Sequence, residues 1–434
     1  MSTTETEVQV FTPAPRGERP APAPAAAPAP TTPPDVSPSP LPAPSPAGEL
    51  LHVNMGPQHP STHGVLRLEL LLDGEVVVDC QPVIGYLHTG IEKTFEAKTY
   101  VQGVVLTDRM DYLNPLGNNL AYALAVEALM TCEIPPRATA LRVILVELTR
   151  IASHLMFVGS LALDLGASSP FLYCWRERET ILDIFETISG VRMMTSFIRP
   201  GGLVHDVAPE VVERISAFVD ALPRYVDSYE ELLTGNPIFR ERTEGIGRLS
   251  AEDALELAVT GPALRGSGVN LDLRKSNPYC GYETYDFAVP TGTVGDCFDR
   301  YQVRVAEMRE SVKICRQAID RLPSGSVRTE DRKVMPPPRE ELAKSMEAVI
   351  HHFKLWTEGI RPPAGEAYVG VESPRGEVGF YVVSDGSGRP IRVHERAPSF
   401  ANLQALGRIV AGGTVADVVA CIGSLDPIMG EVDR

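Results

Sequence analysis

Three short runs hold the residues able to do chemistry. In Gly56-Pro57-Gln58-His59-Pro60-Ser61-Thr62-His63-Gly64, two histidines stand four apart. Helical zinc pairs share that spacing, but Pro60 breaks a helix and no acidic residue lies between the two, so the run reads as a loop and not as a metal site. A histidine there either bonds backbone or faces a ligand, and flanking glycines let backbone approach a flat molecule closely. The second run is Thr107-Asp108-Arg109-Met110-Asp111-Tyr112-Leu113-Asn114. Tyr112 reads either as a half-buried tyrosine with a bonded hydroxyl or as a phenol free to donate to a carbonyl. The third is Leu161-Ala162-Leu163-Asp164-Leu165-Gly166-Ala167. A carboxylate among apolar residues must be paired. Asp164 therefore either bonds amides at a helix end or pairs with His63, holding a protonated imidazole ready to give up its proton.

The elements that position these runs are legible from periodicity. Leu66–Leu70 alternates, Asp73-Gly74 marks a turn, and Glu75–Asp79 returns, which predicts a hairpin. The chain becomes helical after Asn118. Leu141–Leu163 is apolar on most sides, so it is a core helix. Its polar stripe of Glu147, Arg150 and His154 must be paired internally or line a cavity. Further helices are expected at Trp175–Ser189, Pro209–Thr234, Cys297–Leu322 and Arg339–Thr357. Strands are expected over 367–393 around the turn Ser384–Gly388, with a last helix near Asn402–Val410 before the tail. Residues 1–50 are expected to form a disordered, extended tail, since they hold 14 of the 38 prolines with alanine between them. Residues 51–434 then form one α+β, mainly α, domain.

Composition narrows the function. A net charge of −16 over 434 residues argues against a nucleic-acid partner. The seven cysteines include no C-x-x-C pair and read as reduced thiols. No phosphate-binding glycine loop, secretory signal or run of about 18 apolar residues is present, so any membrane role is peripheral.

The ending Ser424-Leu425-Asp426-Pro427-Ile428-Met429-Gly430-Glu431-Val432-Asp433-Arg434 resembles that of nickel-iron hydrogenase large subunits, which close on Asp-Pro-Cys-x-x-Cys. Ile428 and Glu431 fill the two cysteine places. In Arg-x-Cys-x-x-Cys, the second hydrogenase motif, Arg109 stands and Asp111 and Asn114 replace the cysteines. Without those thiolates nickel has no ligand set. With Gly-Pro-Gln-His-Pro-x-x-His-Gly, Glu92-Lys93 and the closing Gly-Glu-Val-Asp-Arg, the chain resembles the quinone-site D-subunit family of respiratory NADH-quinone oxidoreductase (complex I) from about His52 to Arg434.

That resemblance implies a hydrogenase large-subunit fold: a long-helix bundle, a small N-terminal β domain and C-terminal strands. It implies a proton-pumping translocase, active only as the assembled complex, in which electrons from NADH reduce menaquinone or ubiquinone. It implies that this chain binds no metal or cluster, and that an iron–sulfur cluster lies in the neighbouring small-subunit-like partner. Other implied partners are the C subunit, a ferredoxin-like subunit and the membrane subunit through which quinone enters, placing the chain peripherally on the cytoplasmic side of the cell membrane. Tyr112 and His63 would bond the quinone head group, with Asp164 the partner of His63. His59, Gly64, Asp111, Arg109, Arg192 and Met194 would lie at the pocket or near the cluster. Many relatives carry histidine where Met194 stands, which implies a weakly pH-dependent cluster potential here. A non-catalytic, diverged scaffold copy is the alternative.

Overall fold

The computed structural model describes residues 50–434; the expected tail up to residue 49 lies outside them. Three antiparallel strands open the described chain: β1 (Leu51–Met55), β2 (Arg67–Asp73) and β3 (Val76–Val83). The hairpin between β2 and β3 turns at Gly74, which takes φ 62°. Two short helices follow, α1 (Ile91–Phe95) and α2 (Tyr100–Thr107), the latter started by a Thr99–Gln102 capping box.

The centre is a bundle of long helices: α3 (Pro115–Met130), α4 (Pro136–Asp164), α5 (Ser168–Ser189) and α6 (Pro209–Leu233). Pro115, Pro136 and Pro209 each open a helix, where a missing N–H has no intrahelical partner to lose. A two-residue ladder, β4 (Ile198–Arg199) with β5 (Gly202–Leu203), links α5 to α6. Short helices α7 (Pro237–Glu241), α8 (Ala251–Glu256), α9 (Pro262–Gly266) and α10 (Leu273–Ser276) lead to the long α11 (Cys297–Asp320), which packs on α4 and α6. After α12 (Met346–Thr357) come the antiparallel strands β6 (Gly365–Ser373), β7 (Gly376–Ser384) and β8 (Arg392–Arg396). The chain ends in α13 (Pro398–Leu403), α14 (Leu406–Val410), α15 (Val415–Leu425) and α16 (Met429–Asp433).

Three apolar clusters hold this together. One lies within the bundle, one joins the N-terminal sheet to α14 and α15, and one joins the C-terminal sheet to α2 and α3. The polar stripe of α4 is paired inside the protein. Glu147 takes Arg150 and Arg274, each at 3.2 Å, with Tyr282 and Ser311 hydroxyls at 2.7 and 2.6 Å. His154 meets Glu307 at 2.9 Å, and Arg265 ties Glu307 to Glu372.

Several helix limits differ from expectation; α3 begins at Pro115 and α4 at Pro136, before the starts expected at Asn118 and Leu141. α5 begins seven residues before Trp175, because Ser168, Ser169 and Pro170 fit a first turn rather than a break. α12 starts at Met346, capped by Ser345, after the prolines at 336–338 hold the chain in turns. The expected 402–410 helix is two short helices. The tail beyond it is no plain tail but two further helices, α15 being started by a Thr414–Asp417 capping box.

Candidate functional site

The two segments that resemble cysteine-bearing motifs meet in space. Asp111 and Asn114 precede α3, Ile428 caps the final helix and Glu431 lies within it; all four are buried. Gly430 makes the approach possible. A Cβ there would stand 2.3 Å from the Met110 carbonyl oxygen and 3.3 Å from Tyr112 Cε1. Gly430→Ala is accordingly expected to cost about 1–3 kcal/mol of stability, checked by thermal unfolding, because the opposing atom is backbone and cannot rotate away.

Between the segments lies Arg375, the tip of the β6–β7 hairpin. Its fully buried guanidinium donates from Nη1 to Asp111 Oδ2 and Ser153 Oγ, both at 2.9 Å. Nε donates to the Asp426 carbonyl at 3.0 Å, and Nη2 lies 2.9 Å from Asp426 Oδ2. A cation thus joins the segments. Among the described residues no group of three or more His, Cys, Asp or Glu is placed to hold a metal ion. The sequence reading missed Arg375. Its one signal was a charged residue at a two-residue turn, Pro374-Arg375, where a solvent-facing side chain is usual.

His63 and Tyr112 share this pair of charges. His63 follows a short turn at Pro60–Thr62 that packs on α15, and takes a left-handed φ of 53°. It is half-buried; burial lowers its pKa, Asp426 opposes that, and Arg375 adds to it. Burial thus disfavours the protonated imidazole, and Asp426 is the charge that favours it. Tyr112 is half-buried, and its pKa is raised by burial and then by Asp111, with Arg375, Asp426 and Glu431 also in electrostatic reach. Its hydroxyl bonds no protein group among the described residues, so it remains free to donate.

The expected Asp164–His63 ion pair is not formed. Asp164 ends α4 half-buried, its Oδ2 3.6 Å from where a Cβ on Gly423 would stand. Burial lifts its pKa to about 6, and the charge that opposes this is His59. Asp164 is thus in electrostatic reach of one histidine of the loop and Asp426 in reach of the other. The raised pKa means the folded state holds its proton more tightly, so this group's contribution falls as pH rises from about 4 to about 6. Asp164→Asn is therefore expected to stabilise the chain at pH 7 by no more than about 1–2 kcal/mol after solvent screening, with no gain below about pH 4 in chemical denaturation.

His59 is exposed, and its Nδ1 accepts from Ser61 N at 3.2 Å, the backbone-bonding role open to a loop histidine. Gly64, at φ 82°, borders open space. Arg109 is exposed and does not join the Arg375 cluster. Arg192 is exposed too and pairs with Glu179 at 2.5 Å and Asp183 at 3.4 Å on α5. Half-buried Met194 lies two residues from Ser196, whose hydroxyl and N–H both donate to buried Asp108, at 2.5 and 3.1 Å. That bond fastens the Arg192–Met194 loop to the Tyr112 loop.

A mainly helical chain with a charged centre closed by its own C-terminal helix is here a respiratory-chain subunit. The chain belongs to the family described as the 49 kDa subunit of respiratory-chain NADH dehydrogenase, which matches residues 164–434. The first of the numbered D subunits of NADH-quinone oxidoreductase from Roseiflexus castenholzii is 63% identical over 389 residues, covering 89% of this chain and 93% of that protein. The second D subunit from Chloroflexus aurantiacus is 60% identical, covering 89% and 95%. NADH-quinone oxidoreductase subunit 4 of Thermus thermophilus is 55% identical over 386 residues, covering 89% and 94%.

Proposed function

We propose that this chain forms the quinone head-group site of a proton-pumping NADH-quinone oxidoreductase, in a scaffold related to that of nickel-iron hydrogenases whose nickel site has been replaced. One observation carries the reading: His63 and Tyr112 lie within reach of the same Arg375–Asp426 pair, and the Tyr112 hydroxyl has no protein partner among the described residues. An iron–sulfur cluster in the neighbouring small-subunit-like partner supplies the electrons. As negative charge develops on the quinone oxygens, Tyr112 and His63 donate hydrogen bonds to them, which stabilises that charge most strongly in a water-poor site. Arg375 holds the floor of the pocket in register. The proton that Tyr112 gives up must be replaced, and burial makes His63 less ready to hold one in reserve. Menaquinone or ubiquinone is the substrate class, and the chain works only in the assembly.

No helix among the described residues is long and apolar enough to cross a membrane. The chain would then sit peripherally on the cytoplasmic side and reach the membrane through its quinone-channel partner. An exposed apolar face on α12, with Met346 at 75%, Phe353 at 64% and Trp356 at 74% exposure, suits burial against another subunit.

Quinone reductase rates of Tyr112→Phe and His63→Ala in assembled complex test the assignment; wild-type rates in both would remove it. At Met194 a thioether cannot take up a proton. The potential of the adjacent cluster is expected to vary little with pH, and a redox titration showing a slope near the one-proton value of about 59 mV per pH unit would contradict this.

A further inference from the structure

A second group of acidic residues begins at Tyr112 and leads away from the pocket. Glu431 is fully buried; its Oε1 accepts from Ser399 N at 2.9 Å, and Oε2 has no partner. Glu395, on the inward face of β8 opposite Phe380, is fully buried with neither carboxyl oxygen bonded. Two carboxyls in such a state are costly unless protonated. Glu431 faces Asp111 and Arg375 as well as Tyr112, and burial followed by the Asp111 charge pushes its pKa up to about 8. Glu395 is in electrostatic reach of Glu431, Arg434, Asp111 and Glu92, and burial followed by the Glu431 charge holds its pKa well above the usual carboxylate range.

Beyond Glu395 the path meets the surface. Glu92 Oε1 accepts from Glu395 N at 3.0 Å and lies 2.9 Å from His394 Nδ1. Both Glu92 and His394 line a cleft of about 270 Å³ with His88, Arg392, Asp433 and Arg434. Arg434 Nη1 donates to the Glu395 carbonyl at 2.9 Å, and Arg392 Nη2 to Glu92 Oε2 at 2.8 Å. Structural ion pairs explain Glu92, but they leave the three unbonded carboxyl oxygens of Glu395 and Glu431 behind it without a role.

We propose that Glu395 and Glu431 form a proton relay carrying protons from the Glu92–His394 cleft to Tyr112 at the quinone. This rests on the quinone-site reading above. Reduction of one quinone takes two electrons from the neighbouring subunit and two protons; the relay supplies the proton delivered through Tyr112, and the other quinone oxygen takes its proton from solvent. When the Tyr112 O–H bond breaks toward a quinone oxygen, the phenolate takes the proton of Glu431. Glu431 takes that of Glu395, and Glu395 is refilled at the cleft from His394 and water. Tyr112 and Glu431 lie in electrostatic reach of each other, as do Glu431 and Glu395 and Glu395 and Glu92, which orders the relay. Neither glutamate touches the quinone; both act through Tyr112.

Glu395→Gln and Glu431→Gln in the assembled complex test the relay, since an amide keeps the shape and cannot pass a proton. Quinone reduction is expected to fall at least about tenfold in each, more at about pH 9 than at about pH 6, with a changed solvent isotope effect and unaltered KM. Electron transfer from NADH to ferricyanide, which needs no quinone-site proton, stays at the wild-type rate. Glu395→Asp restores part of the loss. Rates within twofold of wild type at every pH overturn the relay. Should a variant fail to assemble, infrared difference spectra of the wild-type complex decide: a change in the carboxylic C=O band on quinone reduction supports the relay, and an unchanged band overturns it. Tyr112→Phe in the same assay separates the two ideas. If it is slow while the glutamine variants are not, the relay alone fails; if it and His63→Ala both run at the wild-type rate, the quinone-site reading fails.

Discussion

Tyr112→Phe is expected to lower quinone reduction by about 10²–10⁴-fold while leaving the protein folded, because it removes one oxygen that bonds no protein group among the described residues. The ring packs at Gly430 and its hydroxyl supports nothing else, so stability should change little. His63→Ala should act in the same direction and less strongly. Burial disfavours its charged form, so the imidazole acts chiefly as a hydrogen-bond partner, and Arg375 remains to hold the pocket. Steady-state rates with a short-chain quinone, beside NADH-to-ferricyanide rates, measure both. A loss of ferricyanide activity as well would point to failed assembly rather than to lost chemistry.

Arg375→Met carries the largest expected effect on stability. Its guanidinium neutralises Asp111 and reaches Asp426 in a site sealed from water. Removing one partner of a buried ion group costs about 3–5 kcal/mol, because the remaining charges stay desolvated. That is a large share of the roughly 5–15 kcal/mol that holds a domain folded. The variant is expected to unfold at lower temperature and to reach the assembled complex in reduced amount. Arg375→Lys should recover part of the loss. It restores the charge but cannot donate at once to Asp111, Ser153 and the Asp426 carbonyl, which the planar fork reaches together. The pH response separates this site from Glu431. Glu431 holds its proton more tightly when folded, so stability falls as pH rises from about 4.5 toward 8, and Glu431→Gln should flatten that slope.

Local pattern was enough for the hairpin at Gly74, the long apolar helix and the C-terminal strands, because strand alternation and helical periodicity follow from nearest-neighbour geometry. Family membership was legible for a related reason: the motifs around His63, Tyr112 and Asp426 are contiguous runs, and relatives matching about nine-tenths of the chain bear the family out. Short-range signals misled at Ser168–Pro170, where residues that break a helix inside it are tolerated at its start.

By itself the sequence determined which side chains are available: a phenol, two loop histidines, one carboxylate at the end of an apolar helix, and carboxylate, amide and hydrocarbon where thiolates stand in hydrogenases. Only the tertiary structure decided who faces whom. It set His63 in electrostatic reach of Asp426 and Asp164 in reach of His59, drove Arg375 from a hairpin tip into the core, and buried Glu395 and Glu431 with carboxyl oxygens left unbonded. The reason is physical: pairing and burial depend on groups more than two hundred residues apart in the chain, such as Asp111 and Arg375, and no local spacing records that distance.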